Sequence, residues 1–393
     1  MQMRIFLTLT MTLAMAATRC AGQSAPEAQT QRQAALSLEQ QGNNVEAEAT
    51  WRLYLKTHPS RPEPYAHLGL LEARQEHYKD AVPLYRKALA LDPAIPGLRM
   101  NLGLALFKDG ELKQAIDEFK LLLKSQPSNS SDSQRLTILL GMAHYGLGEY
   151  AEAVPYLKQA AASDPQNLPL RLDLAHSCMF SKQYQCVLDT YHEMLLLNAE
   201  SAEVDMLAGE ALDEQKDSTG AIQQFRAAVV ADPKQPNVHF GLGYLLWTQQ
   251  NQFVEAASEF QAELTNFPDN AQAMVYLGDS QIQLNQPEAA LPLLEKAIRI
   301  DPGIELAHLD LGILYSDAGR RDDALRELKI AEKLNPDDSN VHWRLGRSYQ
   351  AAGKKDEAKA EFDKTRNLQR ASDESLFKKM HPGEPTPATP ASH

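Results

Sequence analysis

The residues able to do chemistry are few, and two cysteines head them. Cys178 and Cys186 lie close together in sequence. A disulfide between them would close a small loop and stabilise by about 2–3 kcal/mol if its geometry is unstrained. Two buried free thiols, packed as small apolar groups, are the other outcome; both stay open on sequence alone. With Cys20 they make three cysteines in 393 residues, too few for a disulfide-built fold. The histidines are scattered: His176 sits where a groove residue could, and Tyr191-His192-Glu193 is a piece of helix. There is no HExxH, no paired CxxC, no glycine-rich phosphate loop and no nucleophile elbow. No catalytic, cofactor-binding or metal-ligating residue is therefore assigned, and the chain is read as a non-enzyme that needs no cofactor. A net charge of −13 argues against a nucleic-acid partner, because gripping phosphates needs clustered Lys and Arg.

The N-terminus reads as an address. Arg4 precedes an uncharged, mostly apolar run from Ile5 to Ala17, and small residues follow at Ala14-Met15-Ala16 and Cys20-Ala21-Gly22. The run is shorter than the roughly 20 residues that cross a bilayer. It fits a bacterial secretory signal peptide over residues 1–22, so the mature chain is expected to be periplasmic or secreted, with no transmembrane span. Lipid anchoring through Cys20 is the lesser reading, since Arg19 stands where a small residue should precede the cysteine.

The remainder is organised by a beat. Prolines recur at Pro59, Pro93, Pro127, Pro165, Pro233, Pro268, Pro302 and Pro336, mostly 34 residues apart, with Ala199 in the skipped slot. The exceptions are a step of 38 residues, whose extra residues fall at or beside Ser128 to Asp132, and one of 35, whose extra residue falls near Asn251. Within each unit a small residue follows leucine, as in Leu68-Gly69, Leu102-Gly103, Leu277-Gly278 and Leu311-Gly312. An alanine comes twelve later (Ala81, Ala115, Ala290, Ala324), and a bulky residue four beyond that (Tyr85, Phe119, Leu294, Leu328). The fifth unit departs from the pattern, with Ala175 and Val187 at the small positions.

This pattern resembles the tetratricopeptide repeat (TPR), a helix-turn-helix unit of 34 residues. Glycine inside a helix costs about 1 kcal/mol relative to alanine, so its recurrence requires close contact. Here the first helix of a pair is expected to press against the alanine of the second. The recurring Asp-Pro or Asn-Pro ends the second helix, because proline lacks the backbone donor and clashes with the preceding turn. One pair cannot bury enough apolar surface alone; a stack can. The expected fold is all-α, a right-handed superhelical solenoid of about ten TPR units. The units start near 28, 62, 96, 134, 168, 202, 236, 271, 305 and 339, and the array covers residues 28–372. A polar spacer (23–27) precedes it; after it either the last second helix runs on or a short capping helix (373–380) follows, and a disordered proline-rich tail (381–393) ends the chain.

A coiled coil would not tolerate Gly and Pro at this frequency, and RNA-binding pentatricopeptide repeats conflict with the acidic balance. The resemblance implies a protein or peptide partner held in a concave groove lined by first helices. Residues expected there include Met100, Leu104, Phe107, Met142 and Tyr145, then Met179, Phe180, Phe240, Tyr244 and Trp247. Glu210 and Asp213 add negative charge, extended by Asp279, Asp310 and Asp317; the last unit adds Trp343, Arg344 and Arg347. Packing between neighbouring first helices is the competing explanation for each of these. Asn101, Arg344 and Arg347 are fragments of the set with which some TPR domains hold a C-terminal carboxylate; its lysines are missing. Two functions remain. One is an adaptor that captures a partner segment in the groove within the bacterial cell envelope. The other is a structural part of an envelope assembly, such as polysaccharide-export or pilus-type machinery, contacting partners by its convex face.

Overall fold

A computed structural model describes residues 26–127 and 130–380; the signal peptide and proline-rich tail expected from the sequence lie outside them. Every regular element among the described residues is an α-helix. Helix α1 already begins at Pro26, inside the expected spacer. The chain divides into two compact units, the boundary falling between Ala199 and Glu200.

The first unit holds five helix pairs. They are α1 (Pro26–Gln40) with α2 (Asn44–Thr57), α3 (Pro62–Arg74) with α4 (Tyr78–Leu91), and α5 (Leu98–Lys108) with α6 (Leu112–Ser125). Then come α7 (Ser131–Gly146) with α8 (Tyr150–Ser163), and α9 (Leu168–Phe180) with α10 (Tyr184–Leu196). The second unit repeats the scheme: α11 (Ala202–Glu214) with α12 (Ser218–Ala231), α13 (Val238–Gln250) with α14 (Phe253–Asn266), and α15 (Ala271–Gln283) with α16 (Pro287–Ile300). It closes with α17 (Glu305–Asp317) and α18 (Arg321–Leu334), then α19 (Ser339–Ala351) and α20 (Lys355–Met380). Residues 373–380 are the last turns of α20: of the two alternatives, the second helix runs on and no separate capping helix forms. Its final turns instead carry Leu376 and Met380 into solvent.

Local chemistry sets the ends. α4 stops at Leu91 before Asp92-Pro93, and α18 at Leu334 before Asn335-Pro336. Side chains of Ser130, Ser201 and Asn270 accept from the backbone N–H three residues on, satisfying donors that a helix start leaves over. The residue inserted in the seventh repeat is absorbed at Asn251, whose left-handed backbone ends α13.

Packing repeats with the sequence. Within each unit a second helix packs on the first helix of the next pair, and α11, α13, α15, α17 and α19 form a row in which each touches the next. The glycines meet a bulky side chain first and the expected alanine second. A Cβ on Gly103 would lie 2.6 Å from the Phe119 ring, and one on Gly312 would lie 2.6 Å from Leu328. The nearest partner is thus the bulky residue of the same pair, with the alanine's backbone close behind it: Ala324 O would lie 3.5 Å from a Cβ on Gly312, and Ala221 O 3.3 Å from one on Gly209. The ring or branched side chain lies across the face that glycine leaves bare, while alanines such as Ala115 and Ala324 are buried beside it.

Candidate functional site

In the first unit the expected groove residues separate into two kinds. Met100 and Phe107 are half-buried against the core of their own stack, Phe107 with its ring centroid 6.5 Å from that of Phe119. Leu104 is buried outright and presents nothing to a partner. Tyr145 and Phe180 are brought together through Tyr150, a residue the sequence did not single out. Tyr150 stands 5.7 Å from Tyr145 edge-on and 4.7 Å from Phe180 in a stack, centroid to centroid. His176 extends the row at 6.3 Å from Phe180. Met142 and Met179 lie half-buried on the same helices α7 and α9. Phe180, 60% exposed, is the open end of this aromatic row.

Cys178 and Cys186 are joined by a disulfide, Cα to Cα 5.8 Å, tying α9 to α10. Cys178 is fully buried.

The second unit assembles a larger aromatic group. Phe240, Tyr244 and Trp247 of α13 surround Tyr276 of α15, again a residue that sequence reasoning missed. Tyr276 lies 5.3 Å from Tyr244 and 5.1 Å from Trp247, both nearly perpendicular, and 5.8 Å from Phe240. Such edge-to-face contacts are favoured because a positive ring edge meets a negative face. Tyr276 directly precedes the Leu277-Gly278 pair, a position whose side chain points across the row of first helices. Burial and then the nearby Tyr244, Asp279 and Glu305 groups push its hydroxyl up to about 12. Tyr244 is 37% exposed and forms the outer surface of the group.

Acids continue along the same helices. Asp279 and Asp310, expected in the groove, are both buried. Burial holds the Asp279 carboxyl above its usual range, opposed by hydrogen bonds from Trp247 and Gln283. Asp310 is pushed well up by burial and by Asp279 and Glu305, with Arg344 opposing; its Oδ2 has no hydrogen-bond partner. Burial first, and then Asp338, raise Glu305 to about 7. Glu210, Asp213 and Asp317 stay at or near the surface of α11 and α17. On α19, Arg344 and Arg347 flank Trp343 at 4.9 and 5.2 Å from ring centroids. These three line a cleft of about 300 Å³ with Ser316, Asp317 and Gln350. Along the first helices of the second unit, the acids of α11 are thus followed by the aromatic group of α13 and α15, the acids of α17 and the arginines of α19.

Sequence reasoning also missed a repeated polar pair. His308 Nδ1 lies 2.8 Å from Glu327, His342 Nδ1 lies 2.7 Å from Glu361, and Arg99 meets Glu118 at 2.6 Å. A basic residue on a first helix thus pairs with a glutamate 19 residues later. That constant interval was a usable signal.

Models of the tetratricopeptide repeat match residues 32–94, 67–130, 188–236 and 237–303. A second model of the same repeat matches residues 144–211, 284–342 and 317–376. The chain is 25% identical over 287 residues to the CTR9 homolog of Arabidopsis thaliana, covering 70% of this chain and 26% of that protein. It is 26% identical over 227 residues to the TPR repeat-containing protein YpiA of Bacillus subtilis, covering 57% of this chain and 52% of that one. The chain thus spans about a quarter and about half of these relatives. Among solved structures, YrrB, described as a TPR protein with an unusual peptide-binding site, is 20% identical with a TM-score of 0.39, over 48% of this chain and 97% of its own. Among the described residues no helix is long and apolar enough to cross a membrane.

Proposed function

This chain belongs to the tetratricopeptide repeat family, and from that premise we propose that it is an adaptor that holds a segment of a partner protein against its first helices. The observation that carries this reading is the group around Tyr276 in the second unit. Tyr244 offers an exposed aromatic face there, with Trp247 half-buried behind it. Large, ordered aromatic side chains give contact area at little entropic cost, which suits them as anchors. The acids of α11, Glu210 and Asp213, favour a segment that carries Lys or Arg beside its apolar residues. The chain acts by binding, without catalysis.

The proposed setting is the bacterial cell envelope, outside the cytoplasm. Its support is the N-terminal pattern of Arg4, the apolar run from Ile5 to Ala17 and the small residues that follow. Fractionation of expressing cells, with the N-terminal sequence of the recovered protein, decides it: a cytoplasmic chain that keeps Met1 would end this part of the reading.

A second reading is favoured by the second helices. Val45, Leu121, Val230 and Val254 lie largely exposed on α2, α6, α12 and α14. An assembly component that docks through those helices would use them. Crosslinking the protein in its native envelope, with and without Tyr244→Ala and Trp247→Ala, separates the two. Loss of the crosslinked partner with the fold intact supports capture on the first-helix face. Retention of the partner, with loss upon Val230→Asp and Val254→Asp, supports the assembly reading.

A further inference from the structure

His342 on α19 is fully buried and held from two sides. Its Nε2 lies 2.8 Å from the carbonyl oxygen of Pro336, an acceptor only, so that nitrogen carries a hydrogen. Nδ1 consequently faces Glu361 Oε2 of α20 at 2.7 Å and Glu332 Oε1 of α18 at 4.0 Å. A histidine whose far nitrogen donates to a carbonyl has its near nitrogen fixed in orientation, as in metal-ligating histidines. Lys364 reaches Glu332 Oε1 at 3.4 Å from the outside.

The array supplies its own control. His308 repeats the arrangement one unit earlier, with Nε2 3.1 Å from the Pro302 carbonyl and Nδ1 2.8 Å from Glu327. Glu332 comes from α18 of the preceding pair, and at its place one repeat earlier stands Ile298 of α16. One carboxylate on Nδ1 is answered by a single proton, which makes that pair a packing device. At His342 the preceding helix α18 adds a second carboxylate. Among the described residues, Glu332, His342 and Glu361 form the one group of three whose ligand atoms all lie within 4.8 Å of one another.

We propose that His342 Nδ1, Glu361 Oε2 and Glu332 Oε1 form a binding site for a divalent transition ion of the zinc class. Ligand bonds of about 2.0–2.2 Å place opposed ligand atoms up to about 4.2 Å apart. The site therefore closes with a small rotation of Glu332, whose side chain is 31% exposed. An imidazole with two carboxylates suits zinc and excludes calcium and magnesium, which take oxygen ligands. The ion displaces the proton between His342 and Glu361, which leaves to solvent, and frees Glu332 from Lys364. It joins α18, α19 and α20, and so braces the last pair of the stack.

Titration of the full chain with ZnCl2 by calorimetry, in two buffers of different ionisation enthalpy, tests this. One ion is expected to bind with micromolar or tighter affinity and with proton release, while CaCl2 gives no heat. Because a His342 variant can simply fail to fold, Glu332→Gln is the decisive change: it should weaken binding at least tenfold with the circular dichroism spectrum unchanged. Lys364→Ala should tighten it, since a competitor for Glu332 is gone. The absence of saturable zinc binding, or binding that Glu332→Gln leaves unchanged, overturns the proposal.

Discussion

Trp247 Nε1 donates to Asp279 Oδ2 at 2.5 Å, joining the aromatic group of α13 to the buried acid of α15. Asp279 has one further donor, Gln283 Nε2 at 3.3 Å. Removing the indole N–H therefore leaves a buried carboxylate oxygen without its stronger partner, a loss of about 1–3 kcal/mol. Trp247→Phe should lower stability to urea by that amount, and the loss should shrink when Asp279→Asn is also present. Equal losses in the two backgrounds would show that the bond contributes nothing of its own.

The glycines make a sharper test of packing. Alanine is the better helix former by about 1 kcal/mol, so propensity alone says that Gly103→Ala stabilises. The structure says the reverse, because the new methyl would sit 2.6 Å from the Phe119 ring. Overpacking of this kind costs about 1–3 kcal/mol. Thermal unfolding of Gly103→Ala, and of Gly103→Ala with Phe119→Leu, checks it: the single change should destabilise, and the smaller partner should recover part of the loss.

Asp205 on α11 gives the pH dependence a definite sign. Both of its oxygens are buried without a hydrogen-bond partner, and burial, with Glu200 adding to it, pushes the carboxyl up to about 6. Its folded value lies above the ordinary one near 3.9, so the folded state holds the proton more tightly than the unfolded chain. Stability is then greater at low pH and falls as pH rises from about 4 to about 6. Asp205→Asn should flatten that fall and stabilise the chain at pH 7 by on the order of 1–2 kcal/mol. Denaturant melts at pH 4 and pH 7 measure both effects; a variant as pH-dependent as the parent would assign the slope to other groups.

Much of the architecture was legible because its cause is periodic. Proline after the second helix and glycine opposite a bulky residue recur in unit after unit, and the helix ends at Asp92-Pro93 and Asn335-Pro336 fall where that chemistry puts them. The site was less legible because its members sit off the repeat's signature. Tyr276 and Tyr150 occupy positions that the repeat leaves variable, and their importance comes from neighbours on other helices. Asp310 reads in sequence as a groove acid along α17, yet it is buried. Leu104 erred the other way, its helix position suggesting a surface that neighbours cover.

The bond between Cys178 and Cys186 sits in the repeat with the poorest match to the small-residue pattern, where Ala175 and Val187 replace the usual glycine and alanine. Larger side chains there hold α9 and α10 together less closely than a bare glycine face would allow, and a covalent link compensates. Closing so short a loop contributes about 2–3 kcal/mol, chiefly by restricting the unfolded chain. Replacing both cysteines with alanine should lower the unfolding midpoint accordingly, and a reducing agent should do the same to the parent while leaving the double variant unmoved. In the unreduced protein neither thiol should react with a thiol reagent under denaturing conditions. Titration of both cysteines there, or equal stability with and without reductant, would assign the fifth repeat's cohesion to packing alone.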